Sequence, residues 1–274
     1  MRIYFIVDCF ALSKRHRFIG IFDTGAGGLN VLKACRALHP NENYLYFADN
    51  LNAPYGGLDE TQIRGLTLAA AKRMETYGLK ALVLACNTAT GAAAEALRKE
   101  LHFPVIGMEP AVKPAAAVSP DKEILLLCTP ATARHDKLKN LIKTFGHKKI
   151  TVLPQKDWAA EIEGNLPCRP VSPAAATPRE GNSLYDRIKS DLGNLGNIGA
   201  VVLGCTHYIF IKDMIAEICG GAPVFDGVDG TVKNLFKRIG EIDLLNQSKE
   251  KGQVLIVTTA PTKMSYWNTL LNSE

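Results

Sequence analysis

At 274 residues the chain lies between one and two ordinary domains and is long enough to bury a large core. Hydrophobic residues make up 47% and charged residues 22%, which excludes wholesale disorder, and no apolar run reaches the roughly 18 residues of a membrane span. The 32 basic and 27 acidic side chains leave a net charge of +5, too mild for a nucleic-acid footprint and better matched to a weak pull on anionic small molecules.

In chain order, Tyr4–Leu12 is apolar but broken by Asp8 and followed by Lys14, Arg15 and Arg17. A secretory leader carries its positive charge before the apolar stretch, so residues 1–17 read as a short extension ahead of the first domain strand. Short apolar runs then alternate with longer helical stretches. Strands are predicted at Phe18–Phe22, Tyr44–Ala48, Ala81–Ala85, Val105–Gly107 and Ile124–Cys128, and again at Ile150–Leu153, Ala200–Leu203, Pro223–Phe225 and Val254–Thr258. Most are continuously apolar rather than alternating, as parallel strands covered on both faces should be. Helices are predicted at Gly28–Leu38, Asp59–Tyr77, Ala89–Leu101, His135–Phe145, Leu184–Leu192, Ile211–Ile218 and Gly230–Arg238. Pro167–Ser183, with four prolines among Ala and Ser, reads as a loop, and the Gly/Asn-rich Gly193–Gly199 as a turn. The pattern is that of an α/β protein.

The seven cysteines, at 9, 35, 86, 128, 168, 205 and 219, include no C-x-x-C pair, so no metal site is expected and free thiols in a reducing cytoplasm are. Two of them lie in a weak internal repeat. Leu82-Val83-Leu84-Ala85-Cys86-Asn87-Thr88 parallels Val201-Val202-Leu203-Gly204-Cys205-Thr206-His207. Each is a buried strand, a small residue, a cysteine, then polar side chains opening a helix. The repeat predicts two similar α/β lobes with a cysteine at one strand end of each, where ligands of open α/β sheets bind. A helix N-terminus should lower each thiol's pKa and enrich the thiolate.

Phe22-Asp23-Thr24-Gly25-Ala26-Gly27-Gly28 joins the first strand to the first helix. It is a poor dinucleotide fingerprint, because Asn30 occupies the third glycine position and Asp23 puts a carboxylate where pyrophosphate would sit, although Asp49 stands where a ribose-binding acid would. Close approach of a small ligand, with Asp23 handling a proton or an ammonium group, fits better. Pro54-Tyr55-Gly56-Gly57 is a turn whose N–H groups can form an anion nest. His207, two residues past Cys205, is placed for proton handling. Glu163, alone, reads as a solvated charge.

Together, Ile19–Leu29, Pro54-Tyr55-Gly56, Ala85-Cys86-Asn87-Thr88-Ala89 and Leu203-Gly204-Cys205-Thr206-His207-Tyr208 resemble the glutamate racemases of the cofactor-independent aspartate/glutamate racemase superfamily. The resemblance runs from about residue 18 to the C-terminal region. It implies two pseudo-symmetric lobes, each a mainly parallel sheet flanked by helices, with the site between them: one lobe from 18–111 plus 224–274, the other from 112–223. It implies Cys86 and Cys205 as acid/base residues, with Asp23 assisting Cys86, His207 assisting Cys205, and Glu163 as a further acid. Asp23, Thr24, Pro54, Tyr55, Gly56, Asn87, Thr88, Thr206 and His207 would contact substrate. No cofactor, a cytoplasmic homodimer, and supply of D-glutamate for peptidoglycan follow from the same resemblance. Three positions depart from the family pattern: Thr24 for its Ser, Asn52 for its Arg, and Ile209 for its Pro. The Asn52 change would weaken a charge contact at the site mouth or an interface.

Racemisation suits such a pair. A proton leaves Cα on one face and returns on the other, so a site serving both enantiomers needs a base on each side. Without a cofactor, fixed donors such as Asn87, Thr88, Thr206 and helix N-terminal N–H groups must stabilise the carbanion, while the Tyr55-Gly56 backbone holds the side-chain carboxylate. Aspartate or another amino acid as substrate, and a non-catalytic amino-acid-binding regulator, are the competing readings.

Overall fold

The computed structural model of the chain describes residues 14–119, 121–145, 149–165, 183–193 and 195–260. Of the expected extension, only its end is described, including a 3-10 turn at Lys14–His16; of the Pro-rich loop, only Ser183, which opens a helix. The first lobe runs β1 (Phe18–Asp23), α1 (Leu29–Leu38), β2 (Tyr44–Ala48), α2 (Glu60–Glu75), β3 (Leu79–Leu84), α3 (Asn87–Glu100) and β4 (Val105–Gly107). The second runs α4 (Val112–Val118), β5 (Glu123–Cys128), α5 (Pro130–Arg134), α6 (Asp136–Thr144), β6 (Ile150–Pro154), α7 (Trp158–Asn165), α8 (Ser183–Leu192), β7 (Ile198–Gly204), α9 (Lys212–Ile218) and β8 (Val224–Phe225). The chain then returns to the first lobe as α10 (Val228–Glu241) and β9 (Val254–Thr258).

The strands form two sheets, ordered β4-β3-β1-β2-β9 and β6-β5-β7-β8, with every pairing parallel. Read from its other edge, the second sheet is 8-7-5-6. It repeats the 4-3-1-2 order of the first, which has β9 added. One boundary moves. Val224–Phe225, expected to begin the return to the first lobe, pairs with β7. It thus belongs to the second sheet, and the crossing falls after Phe225.

Both faces of each sheet are covered, which is why the strands read as unbroken apolar runs. Ile19, Ile21, Tyr44, Tyr46 and Val83 pack on α1 and α10 through Leu32, Leu235 and Ile239. Phe22, Leu45, Phe47, Leu82 and Leu84 face Met74 of α2 and Leu97 of α3. In the second lobe Leu125, Leu127, Val201 and Leu203 meet Trp158, Ile188 and Ile215, while Ile124, Leu126 and Val202 meet Val112 and Leu138. The helices the sequence reading did not predict, α4, α5 and α7, span seven, five and eight residues. Elements that short show little periodicity. Ile209 and Phe210 pack against core clusters of both lobes, so the Ile209 departure fills an inter-lobe contact.

Candidate active site

The carboxyl ends of β1, β2, β3, β5 and β7 open on one cleft between the lobes, where an α/β architecture places its ligand site. The cleft holds a cavity of about 320 Å³ lined by both Cys86 and Cys205. Cys86 occupies the N-cap position of α3. Cys205 instead precedes a 3-10 turn, Thr206–Ile211, and only then α9. The predicted symmetry holds for the strand ends, while the second cysteine opens a shorter and tighter turn.

Thr24, Pro54, Tyr55, Gly56, Asn87, Thr88, Glu163, Thr206 and His207, all expected at the site, line this cavity. Asp23 does not. It is fully buried beneath the wall, its Oδ1 accepting from the Gly25 N–H at 3.0 Å and its Oδ2 from the Thr206 hydroxyl at 3.0 Å. Each carboxylate oxygen thus has one protein donor, and Asp23 stands behind the residues that line the cavity. Gly27 permits this closeness: a Cβ there would stand 2.7 Å from Thr206 Cβ and 2.9 Å from the His207 nitrogen.

Glu163, on α7, is brought to the site rather than left to solvent. Its Oε2 accepts from the Ala26 N–H at 2.9 Å and lies 2.8 Å from His207 Nε2, and Asn50 Nδ2 donates to Oε1 at 3.4 Å. Burial pushes the His207 pKa down, but hydrogen bonding and opposite charge from Cys205 and Glu163 outweigh it and hold it well above the ordinary histidine value. His207 is thus poised as an imidazolium between Cys205 and the Glu163 carboxylate. Burial raises Asp23, against the pull of His207 and its two hydrogen bonds.

Cys86 behaves differently from expectation. Burial and the neighbouring Asp23 carboxylate push its pKa up, while the N–H groups of Ala89 and Thr88 pull it down less strongly. The helix terminus acts in the predicted direction; desolvation of the thiolate outweighs it. Asn87 is 6% exposed, and its Oδ1 and Nδ2 have no hydrogen-bond partner among the described residues. Each buried group left so costs about 1–3 kcal/mol, which a ligand in the cavity can recover.

Asp49 is not among the residues that line the cavity. Its carboxylate accepts from the Tyr55 hydroxyl at 2.6 Å, from Asn52 Nδ2 at 2.9 and 3.0 Å and from the Thr259 hydroxyl at 3.0 Å, anchoring the 53–56 wall. Asn52 is therefore a neutral donor to an internal carboxylate. Sequence reasoning missed Thr129, which lines the cavity from the second lobe. Phe22 pairs with Leu84, and Leu127 with Leu203. Extending the repeat from Leu84/Leu203 across those pairings aligns Thr24 with Thr129, a signal too weak to see without the register. Among the described residues no group of three or more His, Cys, Asp or Glu is arranged to hold a metal ion, and no helix is long and apolar enough to cross a membrane.

Fold and cavity define a class: a two-lobed α/β protein that presents one thiol from each lobe to a small ligand at its strand ends. The chain belongs to the Asp/Glu/hydantoin racemase family, whose model matches residues 30–235. It is 38% identical over 251 residues to the glutamate racemase of Clostridium perfringens, covering 89% of this chain and 92% of that one. Among solved structures, it is similar to glutamate racemase from Thermus thermophilus in complex with β-chloro-D-alanine, with a TM-score of 0.71, 28% identity and 94% of each chain covered. It is also similar to Escherichia coli glutamate racemase in complex with L-glutamate and the activator UDP-MurNAc-Ala, with a TM-score of 0.77, 26% identity, and 93% of this chain and 94% of that one covered.

Proposed function

We propose that this protein interconverts L- and D-glutamate by two-base proton transfer at Cα, with Cys86 and Cys205 as the bases. The observation that carries the reading is that these two thiols, from strand ends of different lobes, line one cavity. In one direction a thiolate on one side takes the Cα proton, forming an S–H bond as the C–H bond breaks. The thiol on the other side then gives its proton to the opposite face of the carbanion and becomes thiolate. The two sulfurs end with exchanged protonation, ready for the reverse conversion.

Unequal surroundings support unequal starting roles. Burial and Asp23 favour the protonated form of Cys86, a donor in waiting. His207, held as an imidazolium beside Cys205, is the counter-charge and proton partner on the other side. Asn87, Thr88, Thr206 and the N–H groups at the start of α3 supply fixed donors for the charge that develops on the α-carboxylate, and prepaid orientation is what makes such donors effective. The Tyr55-Gly56 backbone receives the side-chain carboxylate. This reading includes a cytoplasmic homodimer that supplies D-glutamate for peptidoglycan; family membership supports it.

The test is circular dichroism of L- and D-glutamate beside L- and D-aspartate, with deuterium incorporation at Cα followed in heavy water. Optical activity of either glutamate enantiomer should decay to zero with deuterium uptake. Faster decay for aspartate would reassign the substrate, and no uptake from any of the four would reject the enzymatic reading.

A further inference from the structure

Three threonine hydroxyls form a closed ring across the lobe boundary. Thr88 Oγ1 lies 2.9 Å from Thr129 Oγ1 and 3.1 Å from Thr132 Oγ1, and Thr129 Oγ1 lies 3.0 Å from Thr132 Oγ1. All three residues are buried. A hydroxyl has one proton to give and can accept two, so each member of such a ring donates to the next and none is left unsatisfied. Thr129 is also the N-cap of α5 and accepts the Thr132 N–H at 3.2 Å. The ring therefore fastens the first turn of α5, in the second lobe, to the first turn of α3, in the first.

That turn of α3 is the one that holds Cys86. Cys86 is the N-cap residue of that helix, and the Thr88 and Ala89 N–H groups of its first turn favour the charged form of the sulfur. The same seam is tight one turn further on, where a Cβ on Gly91 would come within 2.9 Å of the His135 ring. Thr132 is not among the residues lining the substrate cavity, and the proposed reaction does not use it. We propose that Thr132 is a positioning residue for Cys86: its hydroxyl closes the ring that fixes Thr88, and the fixed Thr88 keeps the α3 N–H groups aimed at the sulfur. The proposal rests on the reading of Cys86 as an acid/base residue. The titratable groups that act on Cys86 are Asp23 from β1, Tyr46 from β2, Tyr55 from the loop after β2 and Cys205 from the other lobe. Thr132 touches none of these in the ring, so its removal isolates the N–H contribution.

The experiment compares Thr132→Val, which keeps the shape and loses the hydroxyl, with Thr132→Ser, which keeps the hydroxyl and loses a methyl. Thr132→Ala, smaller than the native residue, replaces the valine variant should that one not fold. Alkylation of Cys86 by iodoacetamide is followed against pH, site by site by mass spectrometry, in the full chain without substrate. Thr132→Val should move the alkylation midpoint to higher pH and slow the reaction at fixed pH about tenfold, the scale of one lost hydrogen bond to a charged group, while Thr132→Ser stays with the unsubstituted protein. Glutamate kcat/KM should fall by about the same factor in the valine variant alone. An unmoved midpoint in Thr132→Val, or a serine variant as damaged as the valine one, would overturn the proposal in favour of plain packing. Should the unsubstituted protein not racemise glutamate while the midpoint still shifts, the catalytic reading fails and the positioning of Cys86 stands.

Discussion

Thr206, the residue after Cys205, donates its hydroxyl at 3.0 Å to Asp23, which ends the first strand of the opposite lobe. Asp23 is the charged neighbour of Cys86. The carboxylate that acts on one thiol is thus held by the loop that carries the other, and the two half-sites are mechanically joined. A deeply buried carboxylate with two neutral donors is a costly arrangement, which points to function rather than stability as its reason.

Asp23→Asn is therefore expected to lower kcat/KM by about a hundredfold, the usual scale of a proton-transfer partner, and to raise thermal stability at neutral pH. The sign follows from linkage. Burial raises the folded pKa of Asp23, so the native protein carries a penalty that is absent below the unfolded value of about 3.9 and grows as pH rises from there through the folded value. Melting temperatures of the two proteins should converge near pH 4 and separate above it, the asparagine variant melting higher.

Cys86→Ser and Cys205→Ser should each abolish racemisation, by at least about a thousandfold, since a hydroxyl is far harder to ionise than a thiol. Each variant should still exchange or eliminate from one enantiomer only, and from opposite enantiomers. Deuterium uptake measured separately for L- and D-glutamate checks this. Full two-way racemisation by either variant would refute the two-thiol scheme.

Glu163→Gln removes the carboxylate 2.8 Å from His207 Nε2. His207 has a raised folded pKa, so its protonation stabilises the native state fully below the unfolded value of about 6.5 and progressively less as pH climbs through the folded value. The stability advantage of the unsubstituted protein over the variant should be largest at pH 6 and shrink in alkaline buffer. Chemical denaturation at several pH values reads it directly.

Gly27→Ala should disconnect the lobes locally. A methyl there meets Thr206 Cβ at 2.7 Å and the His207 nitrogen at 2.9 Å, and the second of these is backbone, which yields poorly. Overpacking of this kind costs about 1–3 kcal/mol. Glutamate kcat/KM and melting temperature should fall together, and the larger Gly27→Val should be worse in both.

The two cysteines of the candidate site were legible in the sequence because they lie where chain order and local conformation coincide. Unbroken apolar runs such as Leu82–Leu84 and Val201–Leu203 announce strands covered on both faces, and a cysteine followed by polar residues marks where such a strand yields to a turn. The order of β1 to β9, the repeated lobes and both thiols could therefore be read residue by residue. What only the tertiary structure decided depends on contacts between distant segments. Glu163 reads alone as a solvated charge, yet packing of α7 brings it to Ala26 and His207. Thr129 carries no motif, yet the register of β5 sets it across from Thr88. Val224–Phe225 passes to the second sheet because β7 offers an open edge. For Cys86, the helix end was visible in the sequence, but its weight against burial was not. Desolvation is set by everything that surrounds a group in space, and a linear pattern carries only its neighbours along the chain.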